Sequence, residues 1–181
     1  AEIREAFEVA GYYNVGIEQQ LVQGEKCWQA NFTIKPGQPV VLRNVSVKID
    51  TGDAVDEELQ AAVQKCALRP GDILQHAVYD ACRQRIKQAA EGRGYFSAEF
   101  TERRVDVYPD KLSADITLHM LAGPRYVFGE TSIDQEVLDP DLIQRFVTIA
   151  PGEPYDAERV RRLQRDLVAS TYFDQVLFER N

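Results

Sequence analysis

The stretch EGRGYFSAEF, residues 91–100, decides how this chain folds, because closely similar stretches occur at two other places. EVAGYYNVGI covers residues 8–17, and LVASTYFDQV covers residues 167–176. Each has a small residue, then two aromatic residues, then a segment in which polar and apolar residues begin to alternate. Self-similarity of this kind predicts a chain built from repeats.

The residues before each of these stretches have the spacing of an amphipathic helix. Gly11 and Gly94 stand where a left-handed residue commonly ends a helix. The next aromatic residue should then fold back onto the apolar residue five positions earlier. The predicted helix-end motifs comprise Gly11, Tyr12, Gly94, Tyr95, Phe96 and Tyr172. In the last stretch Thr171 replaces the glycine, so we expect that helix to end with a different geometry.

Two segments of alternating residues follow the helix and predict a β-hairpin with one apolar face. In the middle copy they are residues 98–107 and 112–120, joined by a turn at 108–110. A further strand and a first helix precede the second helix. In the third unit we expect this strand over residues 126–133, where Tyr126, Phe128, Thr131 and Ile133 are its apolar or β-forming positions. The predicted fold is α+β: tandem strand–helix–helix–strand–strand units, each a three-stranded mixed sheet with two antiparallel helices on one face.

The repeat divides the chain into three units. The first unit, residues 1–37, holds only the helix and hairpin; the middle unit, 38–123, is complete; the third unit, 124–181, lacks its last strand. Incomplete units leave apolar faces and strand edges open. We therefore expect the fragment to associate with copies of itself.

Composition narrows the classes of function. The net charge of −8, from 21 basic and 29 acidic residues, argues against nucleic acid as a partner. No run of about 18 apolar residues is present, so no transmembrane helix is expected. Three cysteines and two histidines without metal-ligand spacing predict no metal, cofactor or catalytic residues. An enzyme is not expected.

The unit order, with a second helix ending in G-Y-[YF] and a hairpin ending in a glycine joint, resembles POTRA domains. These are the periplasmic repeats of the outer-membrane β-barrel assembly superfamily. IREAFEVAGYY, GRGYFSAEF and GPRYVFGETSI carry the resemblance, which covers nearly the whole chain. It implies a periplasmic scaffold, tethered to a membrane barrel outside this chain. The implied partners are unfolded outer-membrane proteins and a protein anchored in the inner membrane.

Two helices cover only one face of a three-stranded sheet, so an edge strand stays unpaired and could bind extended peptides by strand addition. We expect this edge at 98–107, because 112–120 alternates without interruption, as suits a central strand. The parity changes between Phe100 and Val105, around Arg103 and Arg104, which predicts a bulge in this interval. The candidate partner-binding residues are Ala98, Glu99, Phe100, Thr101, Glu102, Arg103 and Arg104.

A second hypothesis is a module that binds a small ligand or a cell-wall fragment between units. It predicts a deep pocket lined by aromatic residues at the Gly37 or Gly123 joint.

Cys66 and Cys82 fall on the two helices of the middle unit, and antiparallel helices could bring them within bridging distance. In an oxidising periplasm we expect a disulfide between them. Cys27, near the first hairpin turn, should remain unpaired.

Overall fold

A computed structural model describes residues 2–24, 27–52, 55–131, 133–135, 138–170 and 172. The helices are α1 (Glu2–Val9), α2 (Glu57–Gln64), α3 (His76–Gly92), α4 (Pro140–Gln144) and α5 (Ala157–Ala169). The strands are β1 (Gly16–Gln23), β2 (Trp28–Lys35), β3 (Val41–Asp50), β4 (Glu99–Tyr108) and β5 (Ser113–Leu121). A short 3₁₀ turn, Pro109–Lys111, joins β4 to β5.

The middle unit folds around a three-stranded sheet in the order β3–β5–β4. β3 runs parallel to β5, and β4 runs antiparallel to it. Every second side chain of β5 is buried, because the strand lies between two others and has one face under the helices. The sheet is mixed and the class is α+β, as predicted, and the central strand is β5, one residue later than the predicted segment 112–120.

Helices α2 and α3 cover the apolar face of this sheet. Leu59 of α2 and Ile86 of α3 are buried against Ile116 and Leu118 in one hydrophobic core. Asp56 fixes the start of α2, since its carboxylate accepts hydrogen bonds from the backbone N–H groups of Glu58 and Leu59.

A disulfide joins Cys66 to Cys82, with 5.0 Å between their Cα atoms. Cys66 lies just beyond the end of α2, and Cys82 lies early in α3, so the bond ties the two helices together. Loop-closure entropy for a bridge of this span contributes about 3 kcal/mol to stability. Cys27 is free and exposed.

The first unit consists of α1 and the antiparallel hairpin β1–β2. Leu21 of β1 is opposite Ala30 of β2, so both lie on the same face as Trp28 and Phe32. Trp28 is 62% exposed and Phe32 is 51% exposed. The apolar face of this hairpin is therefore largely open.

The third unit has a small core in which Ile149, Leu163 and Leu167 are buried. Among the described residues of 126–133, which exclude 132, the predicted strand does not form, and Val127 makes an isolated bridge with Pro154. A strand needs a ladder of partners, and the described part of the third unit supplies only this bridge. Thr171 and residues 173–181 lie outside the described residues, so the predicted end of this unit is not described.

Both helix-end glycines are left-handed, with φ of +92° at Gly11 and +87° at Gly94. The N–H of Tyr12 donates to the Phe7 carbonyl, and that of Tyr95 to the Ala90 carbonyl, each at 2.9 Å. This is the hydrogen bond that a left-handed helix end makes. The Phe7 and Tyr12 rings also meet edge to face, with centroids 6.2 Å apart.

Helix α5 ends differently, at Ser170. The hydroxyl of Ser170 donates to the Leu167 carbonyl at 2.6 Å, and Tyr172 follows with its side chain exposed.

The same two glycines join consecutive units. At the first joint the Gly11 carbonyl accepts from the Val40 N–H at 2.8 Å, and the Val40 carbonyl accepts from the Leu74 N–H at 2.9 Å. A Cβ atom on Gly11 would collide with the Leu74 carbonyl oxygen. Glycine is therefore required here by the close approach of the next unit as well as by its φ angle.

The second joint repeats this arrangement. The Gly94 carbonyl accepts from the Tyr126 N–H, and the Tyr126 carbonyl accepts from the Tyr155 N–H, both at 2.9 Å. A Cβ atom on Gly94 would lie 2.8 Å from the Tyr155 Cβ. The two joints thus share one backbone geometry.

Candidate functional site

The outer edge of β4 is the candidate site. β4 is the terminal strand of its sheet, and among the residues that the structure describes no strand pairs with its outer side. The strand is 10 residues long, so an added strand could pair along it for up to this length. The outward-facing N–H and C=O groups of such a strand can bind an extended peptide.

The predicted partner-binding residues lie in the first half of this strand. Glu99, Phe100, Thr101, Glu102, Arg103 and Arg104 belong to β4, and Ala98 directly precedes it. Ala98 and Phe100 are half-buried beside the core, and the other five side chains are exposed. This half of the edge is therefore accessible from solvent.

The bulge in β4 lies in the predicted interval but earlier than Arg103 and Arg104. The register shifts at Thr101, between Phe100 and Glu102. Apolar residues before and after the shift face the core. The sequence pattern therefore predicts the interval that contains the extra residue, but not which residue it is. The Thr101 hydroxyl donates to a carbonyl oxygen of β5 at 3.3 Å, an interaction that no alternation pattern reveals.

Charged side chains lie along the β4 edge of the sheet. Arg104 forms an ion pair with Asp106 at 2.8 Å, and Glu102 lies opposite His119 of β5. Charges on an edge strand discourage indiscriminate growth of the sheet. A partner strand therefore has to accommodate both signs of charge along β4.

The opposite edge of the sheet is partly closed. At the start of β3 the Leu42 N–H donates to the Asp72 carbonyl at 2.8 Å, and the Leu42 carbonyl accepts from the Gly71 N–H at 2.7 Å. Val41 also forms a bridge with Ile73. These bonds satisfy the beginning of the β3 edge, so the two edges of the sheet are not equivalent.

Polar side chains on the uncovered face of the sheet pair with one another. Ser46 and His119 are hydrogen-bonded at 2.9 Å. Arg43 and Asn44 both donate to Asp115, and the hydrogen bond from Arg43 is the main cause that lowers the pKa of the Asp115 carboxyl. Because these side chains have partners, the outer backbone edge of β4 is the more available hydrogen-bonding surface.

A cluster of charges lies at the second joint, and we call it the joint cluster: Asp56, Glu58, Arg93, Arg125 and Asp156. Arg93 contacts the carboxylates of Asp56 at 3.3 Å, Glu58 at 3.1 Å and Asp156 at 3.3 Å. Arg125 lies 3.5 Å from Asp56. Sequence reasoning missed this cluster, although an arginine precedes Gly94 in GRG and another follows Gly123 in GPR.

A shallow groove of about 380 Å³ lies at the first joint. Its lining residues are Val9, Ala10, Tyr12, Ile73, Gln75 and Ala77. It is open to solvent, has one aromatic residue in its lining and includes neither Gly37 nor Gly123. It therefore differs from the deep aromatic pocket that the ligand-binding hypothesis predicts.

The part of the chain that the structure describes contains no group of three or more His, Cys, Asp or Glu side chains placed to bind a metal ion. In the same residues no helix is both long and apolar enough to cross a bilayer.

Two family models match the chain. The model described as POTRA, surface antigen variable number repeat, matches residues 40–120, and the one described as POTRA domain TamA domain 1 matches residues 1–36. Together these two models cover most of the chain, which thus carries POTRA domains. Within that class its N-terminal part resembles TamA.

The fold also occurs in a solved structure. The chain is similar to the crystal structure of Haemophilus influenzae BamA POTRA3-5, with a TM-score of 0.54 and 19% identity over 97% of this chain and 69% of that one. Haemophilus ducreyi BamA lacking POTRA domains 1-3 is 16% identical, over 66% of this chain and 21% of that one. POTRA1-3 of Omp85 from Anabaena is 13% identical, over 93% and 69%. The last two have TM-scores of 0.38.

POTRA domains form the periplasmic arms of Omp85-family outer-membrane proteins. They are typically protein-interaction scaffolds in outer-membrane assembly, and in BamA and TamA they are non-enzymatic modules.

Proposed function

We propose that this chain is a periplasmic scaffold of an outer-membrane protein assembly or translocation factor, and that it binds client or partner proteins by strand addition at β4. The observation that carries the proposal is the open outer edge of β4, a strand of 10 residues at the end of its sheet. The arm comprises three units, residues 1–37, 38–123 and 124–181, and is attached to the outer membrane through a barrel outside this chain.

Strand addition suits a module that accepts many sequences. The added strand is held by main-chain hydrogen bonds, which any residue except proline can supply in full. Side chains on alternate positions then meet the charged residues of β4, such as Glu102 and Arg104, and these contacts adjust the choice of partner.

The proposed partners are of two kinds. Unfolded outer-membrane proteins carry segments of alternating polar and apolar residues, which become barrel strands and are extended before they fold. The likeness of residues 1–36 to TamA supports a second partner, a TamB-like protein anchored in the inner membrane. Both would present a strand to the β4 edge.

Thr101→Pro tests the proposal. Proline is tolerated at bulges and edges of sheets, so the variant should stay folded, while the bend and the missing N–H disrupt pairing along the outer edge. In an NMR titration with a ten-residue peptide of alternating apolar and polar residues, we expect affinity to fall at least about tenfold. Thr101→Val, which keeps the N–H, should bind as the original chain does.

Circular dichroism shows whether both variants are folded. A folded Thr101→Pro variant that binds the peptide with unchanged affinity would exclude this edge as the site. Peptide-induced shifts confined to the groove at the first joint would favour the ligand-binding hypothesis instead.

A further inference from the structure

The two joints share their backbone hydrogen bonds but differ in their side chains. We propose that the joint cluster locks the middle and third units into one rigid body, whereas the chain bends at the first joint. This inference does not depend on strand addition at β4.

The joint cluster connects groups from both sides of the second joint. Asp56 and Arg93 belong to the middle unit, while Arg125 and Asp156 belong to the third. The guanidinium of Arg125 also donates to the backbone carbonyls of Arg93 at 2.9 Å and Tyr155 at 3.4 Å. Rotation of the third unit would have to break several of these contacts together.

The burial of the cluster makes that rotation unfavourable. The side chain of Asp56 is 3% exposed and that of Arg93 is 20% exposed. Of the pairs that cross the joint, Arg125–Asp56 has side-chain exposures of 27% and 3%, and Arg93–Asp156 has 20% and 27%. Pairs this buried are weakly screened, and separating Asp56 from Arg125 leaves a buried carboxylate with one counter-ion fewer. The Tyr95 hydroxyl adds a hydrogen bond to Asp56 at 3.4 Å.

Aromatic side chains reinforce the same joint. Phe96 of the middle unit has its ring centroid 4.9 Å from that of Tyr155 and 5.5 Å from that of Tyr126, both in the third unit. Phe128 continues the row, 5.1 Å from Tyr155. Ring contacts at these separations favour a single orientation of the two units.

Among the residues that the structure describes, the first joint has no equivalent cluster. When Gly11 is aligned with Gly94, and Leu74 with Tyr155, Ala10 stands at the position of Arg93 and Gln75 at that of Asp156.

In the residues described, two side-chain hydrogen bonds cross the first joint. Tyr13 is bonded to His76 at 2.8 Å, and Asn14 donates to the Pro109 carbonyl at 3.1 Å. No ion pair among those residues spans this joint. Tyr13 also packs against the core of the middle unit, but without ion pairs among the described residues this joint has less to hold it, and we expect larger movement here.

Pulsed electron paramagnetic resonance on spin-labelled protein measures both joints. In a Cys27→Ser background, labels on Gln88 and Gln164 report on the second joint, and labels on Glu5 and Gln88 report on the first; all three positions are exposed and helical. We expect the distance distribution across the second joint to be at least about twofold narrower than that across the first.

Asp156→Asn is the decisive variant. Asparagine still caps α5, where the Asp156 carboxylate accepts from the Glu158 N–H at 2.8 Å, but it removes the charge that faces Arg93. The distribution across the second joint should broaden about twofold, and that across the first should not change. Raising the salt from 0.1 to 1 M should broaden it less than the substitution does, because the ion pairs that cross the joint are largely buried.

Asp139→Asn is the matched control. Asp139 caps α4 in the same unit through the Asp141 N–H at 2.8 Å, and it has no ion pair within the described part of the chain. It should leave both distributions unchanged. The proposal is overturned if Asp156→Asn leaves the second joint as narrow as before, or if the first joint is equally narrow in the original protein.

Discussion

Gly94 meets two demands at once. It ends α3 in the left-handed conformation, and its missing side chain lets the third unit approach within van der Waals distance. The helix-end role follows from local sequence, because a glycine after an amphipathic stretch is a common stop signal. The packing role depends on Tyr155, 61 positions away along the chain, and no local pattern predicts it.

Gly94→Ala should therefore lower the free energy of unfolding by at least about 1–2 kcal/mol, the strain of a left-handed alanine, with the clash at Tyr155 adding to it. Gly92 is the control in the same helix, since a Cβ there meets no atom within 4 Å. Gly92→Ala should raise stability by up to about 1 kcal/mol through better helix propensity. Urea denaturation measures both. Equal effects of the two substitutions would contradict a joint role for Gly94.

Among the elements, the sequence predicts best the strands that are paired with another strand on each side. The alternation in β5 identifies a central strand because the strand has a ladder on both sides and a core on one face. The third-unit strand over 126–133 was predicted from the same kind of alternation and does not form, because its backbone has no ladder of partners within the described residues. A sequence pattern shows which face of a strand is apolar, but a strand forms only when another segment pairs with it.

The bulge and the joint cluster show the same limit. The alternation of polar and apolar residues predicts only the interval in which the bulge lies. In the structure the bulge is at Thr101, whose side chain makes a hydrogen bond to β5. The arginines of the cluster lie in ordinary polar positions, and only the fold brings Arg93 close to both Asp56 and Asp156. The sequence does not predict which charged side chains the fold brings together from distant positions in the chain.

The exposed apolar face of the hairpin β1–β2 predicts that copies of the chain associate. This face, with Leu21, Trp28 and Phe32 exposed, should drive self-association of the chain at high concentration. Light scattering should then give a mass above the 20.5 kDa of one chain. Phe32→Glu should restore the single-chain mass, whereas Asn31→Glu, on the opposite face of the strand, should not. A single-chain mass for the original chain at high concentration would contradict this.

At the scale of the whole molecule, the chain combines an open sheet edge with two joints of different strength. β4 lies in the middle unit, so any strand that it binds is held next to the third unit, through the joint cluster. The first unit can move with respect to this body if the first joint bends. Such an arm could hold a client at β4 while its first unit contacts another protein.

Amide hydrogen exchange with and without the ten-residue alternating peptide tests strand addition most directly, because an added strand protects the outward-facing N–H groups of its neighbour. The account predicts slower exchange at alternate residues of β4 between Glu99 and Tyr108, with exchange in β3 unchanged. Slower exchange confined to the hairpin β1–β2, or to the groove beside Val9 and Ile73, with β4 unaffected, would contradict it.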